Sequence, residues 1–130
     1  MTKLMAIDYG TKRVGIALSD DSQGFALPYA VWANDRELLN KVLELKEKED
    51  VGTIVMGESK NLDGRPNKIQ TEIAKFKAKL EEKGIGVIFQ PEIFTTVEAR
   101  RDQGQTKMTD ASAAALILKS FIDTVYNKEV

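Results

Sequence analysis

Leu4-Met5-Ala6-Ile7-Asp8-Tyr9-Gly10-Thr11-Lys12-Arg13-Val14-Gly15-Ile16-Ala17-Leu18-Ser19-Asp20 is the stretch that decides how the rest of the chain is read. Two short apolar runs flank a turn carrying Gly10, Thr11, Lys12 and Arg13, and each run ends on an acid. Compact apolar runs bounded by Gly-containing turns predict two buried strands joined as a hairpin. Asp8 then stands at the tip of a central strand, a rigid element suited to holding a metal or a phosphate at a fixed point. Taken alone, the segment slightly favours a plain turn cap, since Asp and Gly are common there. What lies downstream shifts the balance.

The chain of 130 residues fits one domain, expected to span residues 1–130, with balanced charges and a net of -1. Such a composition predicts a globular fold rather than disorder. No window approaches the length of a membrane span, and Met1-Thr2-Lys3 leads straight into a strand rather than a signal peptide, so the expected address is the cytoplasm. Two absences constrain the chemistry. The chain has no Cys, which excludes disulfides, zinc–thiolate sites and thiol nucleophiles. It also has no His, the commonest general base and transition-metal ligand. Catalysis would have to use carboxylates, Lys, Arg, Tyr or hydroxyls, and a catalytic metal would have oxygen ligands, as Mg²⁺ or Mn²⁺ prefers. The near-neutral balance means that a nucleic-acid partner needs a local basic patch.

Beyond the hairpin, Gly24 to Trp32 predicts a third strand, placed at a sheet edge because Pro28 cannot donate to a ladder. Asn34 or Asp35 should cap a helix from about Arg36 to Lys48. Val51 to Gly57 has the apolar run of a buried parallel strand. A polar loop from Glu58 leads to a helix from Pro66 or Asn67 to about Lys83, ended by Gly84. Gly86 to Gln90 is a fifth strand, halted by Pro91. Thr95 or Thr96 should begin a short helix through Arg101, and Gln103 to Met108 a flexible connection. Thr109 is expected to cap the last helix, whose Ala113, Ala114, Ile117, Leu118, Phe121, Ile122 and Val125 form a buried side. The pattern is α/β: a five-stranded mixed sheet with helices on both faces. Right-handed crossovers bring the ends of the strands containing Asp8, Met56 and Gln90 to one rim, where such sheets place their ligands.

Three acids are placed to meet there. Asp8 ends the first strand, Glu92 follows the fifth, and Asp110 lies in the first turn of the last helix, where the dipole favours negative charge. Carboxylates gathered on one rim repel unless cations sit between them. Two divalent ions roughly 3.5–4 Å apart, bridged by such acids, clamp a phosphodiester for in-line attack without His. Each acid alone reads more simply as a surface or helix-end charge; the case rests on all three converging.

Over nearly its whole length the chain resembles the YqgF family, a branch of the RNase H-like fold known as Holliday-junction resolvases and pre-16S rRNA nucleases. The segment Ile7 to Asp20 is close to that family's opening signature, and Ala26-Leu27-Pro28 follows as in the family. Asp63-Gly64 keeps the end of its Gly-Leu-Pro loop. Glu92 with Thr95-Thr96-Val97-Glu98-Ala99 resembles its Asp-Glu-Arg-x-Thr-Thr-x-x-Ala motif. Asp110 to Leu118 resembles the Asp-x-x-Ala-Ala-x-x-Ile-Leu motif of its last helix. The resemblance implies an RNase H-like fold, an endonuclease, and Asp8, Glu92 and Asp110 as catalytic acids that bind Mg²⁺ or Mn²⁺. Departures accompany it: Pro91 replaces the family's Asp, Ile93 its Arg, and Gly57-Glu58-Ser59 its Gly-Leu-Pro, while only Lys107 remains of the basic residues that often precede Asp110. The metal triad is kept and the grip on substrate is reduced.

Contacts to substrate are expected from Lys12, Arg13, Thr95, Thr96, Arg100 and Arg101, with Lys60, Arg65 and Lys68 further candidates; phosphate contacts of this kind position a substrate without reading its sequence. Phe25, Tyr29 and Trp32 are candidates for base stacking, though packing is the simpler role for each. Expected partners are structured RNA, above all the 5′ end of precursor 16S rRNA, or branched DNA such as a four-way junction. The expected state is a monomer or weak homodimer, since no obvious apolar patch argues for more. Two other classes compete. Asp8-x-Gly10-Thr11 also matches the nucleotide-phosphate loop of the hexokinase–actin superfamily, but those proteins pair two lobes and this chain has length for one. A non-catalytic nucleic-acid-binding module would keep the fold and show no metal-dependent cleavage.

Overall fold

The hairpin forms where the apolar runs place it, in a computed structural model that describes residues 2–58, 68–91 and 107–127, with the backbone course alone for 107–110 and 126–127. Strand β1 (Lys3–Tyr9) pairs antiparallel with β2 (Arg13–Ser19), setting Met5 opposite Leu18 and Tyr9 opposite Val14. Gly10 is required in the turn, because a Cβ there would lie 2.5 Å from the Arg13 carbonyl oxygen. Strand β3 (Ala26–Ala33) lies at the edge of the sheet, as Pro28 demands. Its pairing with β2 slips by one residue: Ile16 faces Ala30 and Ala17 faces Pro28, leaving Tyr29 as the extra residue of a bulge.

Helix α1 (Leu38–Lys48) leads to β4 (Val51–Glu58), and α2 (Lys68–Glu82) leads to β5 (Gly86–Pro91). Both strands join parallel to β1, giving the order β3-β2-β1-β4-β5. Helix α3 (Lys107–Asn127) closes the described chain. Among the described residues no helix is long and apolar enough to cross a membrane.

Each face of the sheet has its own core. Met5, Ile7, Val14, Ile16, Ile54 and Met56 pack against Leu38, Val42 and Leu45 of α1 and Ile73, Phe76 and Leu80 of α2. The alternate residues Leu4, Ala6, Ala17 and Val55 pack against Ala114, Ile117, Leu118 and Ile122 of α3. Strands covered on both faces have no polar side to show, which is why β1 and β4 read as continuous apolar runs. Alanines on both the sheet and α3 let the helix lie close to β1 and β2.

The element ends differ from expectation in instructive ways. Helix α1 begins at Leu38, not Arg36, with Glu37 at its N-cap and no side-chain cap bond. Asp35 instead accepts the Glu37 N–H at 2.9 Å, standing two residues ahead of the N-cap. Asn34 caps nothing; its Nδ2 donates to the Gly10 carbonyl at 2.7 Å, tying the end of β3 to the hairpin turn. Thr109 is not the cap of α3, because the helix already includes Lys107 and Met108, two residues expected in the connection before it. β5 includes Pro91 as its last residue, paired with Glu58, one residue beyond the expected end at Gln90. The short helix expected from Thr95 or Thr96 lies outside the described residues. Phe25, Leu27 and Tyr29 are 69%, 57% and 44% exposed along β3, an apolar patch that the residue pattern did not reveal.

The stop at Gly84 is as expected. Gly84 has φ +81°, its N–H donates to the Glu81 carbonyl at 2.9 Å, and the Ile85 N–H reaches the Leu80 carbonyl at 3.2 Å. This pair of bonds is a Schellman cap, with Leu80 and Ile85 buried in the same core. Gly84→Ala should therefore lower unfolding stability by about 1–2 kcal/mol, the cost of a left-handed Cβ, as measured by urea titration.

Asp20 organises the turn into β3, accepting from Ser22 Oγ at 2.7 Å and from the N–H groups of Gly24 and Phe25 at 2.9 and 3.0 Å. The Ser22 hydroxyl first, then the two backbone donors, hold its carboxyl below the usual carboxylate range. A group whose folded value is depressed stabilises fully above its unfolded value and loses that contribution as pH falls through the folded one. The stability difference between the wild type and Asp20→Ala should be greatest above the ordinary value of 3.8 and shrink below it, as measured by urea titration across pH.

Candidate active site

The parallel strands β1, β4 and β5 end on one rim, at Tyr9, Glu58 and Pro91. Antiparallel pairing starts β2 there at Arg13 and ends β3 there at Ala33. Asp8 sits one residue inside this rim and is 4% exposed. Side chains alternate along a strand, so Asp8 follows Leu4 and Ala6 on the face covered by α3. Tyr9 points the other way, its ring tilted 44° against Phe76 with centroids 5.4 Å apart.

The register identifies what flanks the carboxylate. On one side Asp8 pairs with Gly15. On the other, Ile7 pairs with Met56, so one step further along the parallel ladder lies Gly57, itself paired with Gln90. Gly15, Asp8, Gly57 and Gln90 thus form one row across the sheet, with strands about 4.8 Å apart. Both glycines are buried. Neither puts a side chain beside the carboxylate on the sheet surface. At the far end of the row, Gln90 Nε2 donates to Ser120 Oγ of α3 at 3.1 Å. Neither the glycine flanks nor Gln90 was evident from the sequence, where Gln90 was simply the last residue of an apolar strand.

Other expected residues are distributed as follows. Lys12 is exposed in the hairpin turn and Arg13 half-buried at the start of β2, both on the Asp8 rim. Lys68 opens α2 and is exposed. Asp110 is the fourth residue of α3, the helix that packs on Asp8's face; its side chain lies outside the described residues. Glu92, Lys60, Arg65, Thr95, Thr96, Arg100 and Arg101 also lie outside them. Among the described residues no group of three His, Cys, Asp or Glu gathers to hold a metal. Trp32 is half-buried against the core. Phe25 and Tyr29 lie toward the opposite rim, where Asp20 N–H meets the Phe25 carbonyl at 3.1 Å, so neither stacks a base beside Asp8. A cavity of about 380 Å³ on that opposite rim, lined by Lys3, Asp20, Leu27, Tyr29 and Glu49, is likewise remote from Asp8.

The donor chemistry at Asp8 suits a hard cation. A buried carboxylate is costly without compensating charge, and with no Cys or His the chain offers oxygen ligands of the kind Mg²⁺ and Mn²⁺ take.

An α/β molecule with this mixed sheet and helices on both faces has an RNase H-like, RuvC-like fold. Thermus thermophilus RuvC superposes with a TM-score of 0.63 at 12% identity, covering 97% of each chain. A fowlpox virus resolvase, solved with Holliday junction DNA, gives 0.61 at 12% identity over 95% of this chain and 99% of its own. The family follows from sequence: the RuvX model, described as Holliday junction resolvase, matches residues 2–124, and the chain belongs to that family. Relatives named "Putative pre-16S rRNA nuclease" include one from Maridesulfovibrio salexigens, 33% identical over 92% of this chain and 97% of the relative. Another, from Endomicrobium trichonymphae, is 34% identical over 95% of this chain and 96% of its own length.

A side chain placed beside Asp8 in this row should disturb the site. Gly57→Ala, which adds a methyl group beside Asp8, is expected to weaken Mn²⁺ binding at least about tenfold, some 1.4 kcal/mol, with the circular dichroism spectrum unchanged. Calorimetric titration of the two proteins measures the difference.

Proposed function

We propose that this chain is a divalent-metal-dependent endonuclease that hydrolyses phosphodiester bonds in structured nucleic acid, with the 5′ end of precursor 16S rRNA as its substrate. The observation that carries the proposal is the buried Asp8 carboxylate, flanked by glycines at the ligand rim of an RNase H-like sheet. Family membership and the names of the relatives support the same reaction class. Asp8, Glu92 and Asp110 hold Mg²⁺ or Mn²⁺. A metal bound there supplies a Lewis acid and lowers the pKa of a water molecule. Lys12 and Arg13 bring cationic groups to the same rim for the phosphate backbone, joined by Thr95, Thr96, Arg100 and Arg101. Since the chain has no His, proton transfers fall to carboxylates and water.

Four-way DNA is the second substrate, favoured by the description of the family model as a Holliday junction resolvase. Incubating labelled precursor 16S rRNA ends and four-way junctions side by side with Mg²⁺ separates the two. Cleavage of the RNA should exceed that of the junction, and Asp8→Asn, Glu92→Gln and Asp110→Asn should each reduce it by about 100-fold or more, as loss of a group that stabilises transition-state charge does. Cleavage that survives all three substitutions would overturn the assignment.

A further inference from the structure

Toward the rim opposite Asp8, the cover that α1 and α2 give the sheet stops at β2. Leu18 of β2 is 6% exposed in that core, whereas Leu27, its partner on β3, is 57% exposed. Ala26 alternates to the other face and packs against the α3 core. Trp32, at the far end of β3, still packs against the core of α1 and α2, so the bare stretch is confined to one end of the strand. Phe25 and Tyr29 extend it, both exposed. Beside it lies the cavity of about 380 Å³, with Leu18, Leu27 and Tyr29 on its apolar side. It has the size of the smaller ligand pockets, which run from roughly 300 to 1,000 Å³, and admits an inserted side chain. Adjoining exposed apolar side chains rimmed by polar ones mark interaction surfaces.

Charge selects the occupant. Three carboxylates, of Asp20, Asp21 and Glu49, line the cavity against one cation, Lys3. Lys3 Nζ is held by Glu49 at 2.8 Å and stands 3.8 Å from Asp21, whose side chain is 89% exposed. The excess at the apolar edge is therefore negative, which repels a phosphate backbone. A second copy joined about a two-fold axis would set the same acids against each other. Addition of a further strand is hindered as well, because Pro28 has no N–H and Tyr29 is bulged at this edge. A positively charged partner that docks by its side chains meets none of these obstacles.

We infer that the face carrying Phe25, Leu27 and Tyr29 is a docking surface for a basic protein segment, which seats an apolar anchor in the cavity beside Leu27 and sets Lys or Arg side chains against Asp20 and Asp21. The surface lies at the rim opposite Asp8, so the inference is independent of the nuclease reading and a partner seated there leaves the Asp8 rim open.

The probe is a random peptide library displayed on phage and selected on the immobilised full chain. Enriched sequences should combine Lys or Arg with Leu, Phe or Trp. Made as free labelled peptides and followed by fluorescence anisotropy, they should bind Leu27→Ser and Asp21→Lys at least about tenfold more weakly than the wild type, the loss expected of an interface anchor. Added salt should weaken the wild-type complex more than the Asp21→Lys complex. Both substituted side chains are largely exposed, so the variants should fold, which thermal melts check. Failure to enrich any sequence, enrichment of acidic or uncharged ones, or wild-type affinity in either variant would overturn the inference. Self-association of the wild type in sedimentation, abolished by Leu27→Ser, would also overturn it, because the occupant would then be a second copy of the chain.

Discussion

Moving an ionised carboxylate out of water costs several kcal/mol even after the protein relaxes, and Asp8 is buried in the middle strand of the sheet. Its backbone is fixed on both sides, by β2 and by β4, so the group cannot swing out to solvent without disrupting the sheet. A charge kept in such a place has to be balanced by donors or a cation brought to it. The parallel strand ends, the glycines beside Asp8 and the small residues that let α3 approach form its surroundings.

The two cores divide the labour. Helices α1 and α2, with their large aliphatic and aromatic contacts, cover one face and hold the sheet in shape. The α3 face is built from alanines near the middle strands, with larger residues further along the helix. Small residues there bring a helix close to the strand that bears Asp8. The apolar interior thus fixes where a polar group can stand, and Asp8 stands at its margin.

Much of this was legible in the residues. Pro28 has no N–H for a ladder, and that one missing donor put β3 at an edge before any pairing was known. Gly84 after an amphipathic run marked the end of α2, because only a residue without a Cβ turns left-handed there cheaply. Helix starts were less legible. Asn34, Asp35 and Thr109 all look like caps, yet Asn34 binds the hairpin turn, Asp35 stands two residues ahead of the N-cap and Thr109 is already helical. Short polar side chains serve several local bonds, and the sequence does not say which one wins. That the strand ends near Asp8, Met56 and Gln90 share a rim followed from right-handed crossovers, but which residues stand level with Asp8 did not, since that depends on strand register, and a slip of one residue would turn every side chain to the other face. The exposed patch of Phe25, Leu27 and Tyr29 was not legible either: Pro28 places the strand at an edge, but not which of its side chains stay uncovered.

Paramagnetic broadening by Mn²⁺ tests the central claim most directly, because it reports where a hard cation settles on the folded chain. In amide spectra titrated with substoichiometric Mn²⁺, signals from Asp8, Gly15, Gly57 and Gln90 should fade first, and Asp8→Asn should abolish the selectivity. Broadening centred instead on Asp20, Asp21 and Glu49 at the opposite rim, or spread evenly over the acidic surface, would contradict the account.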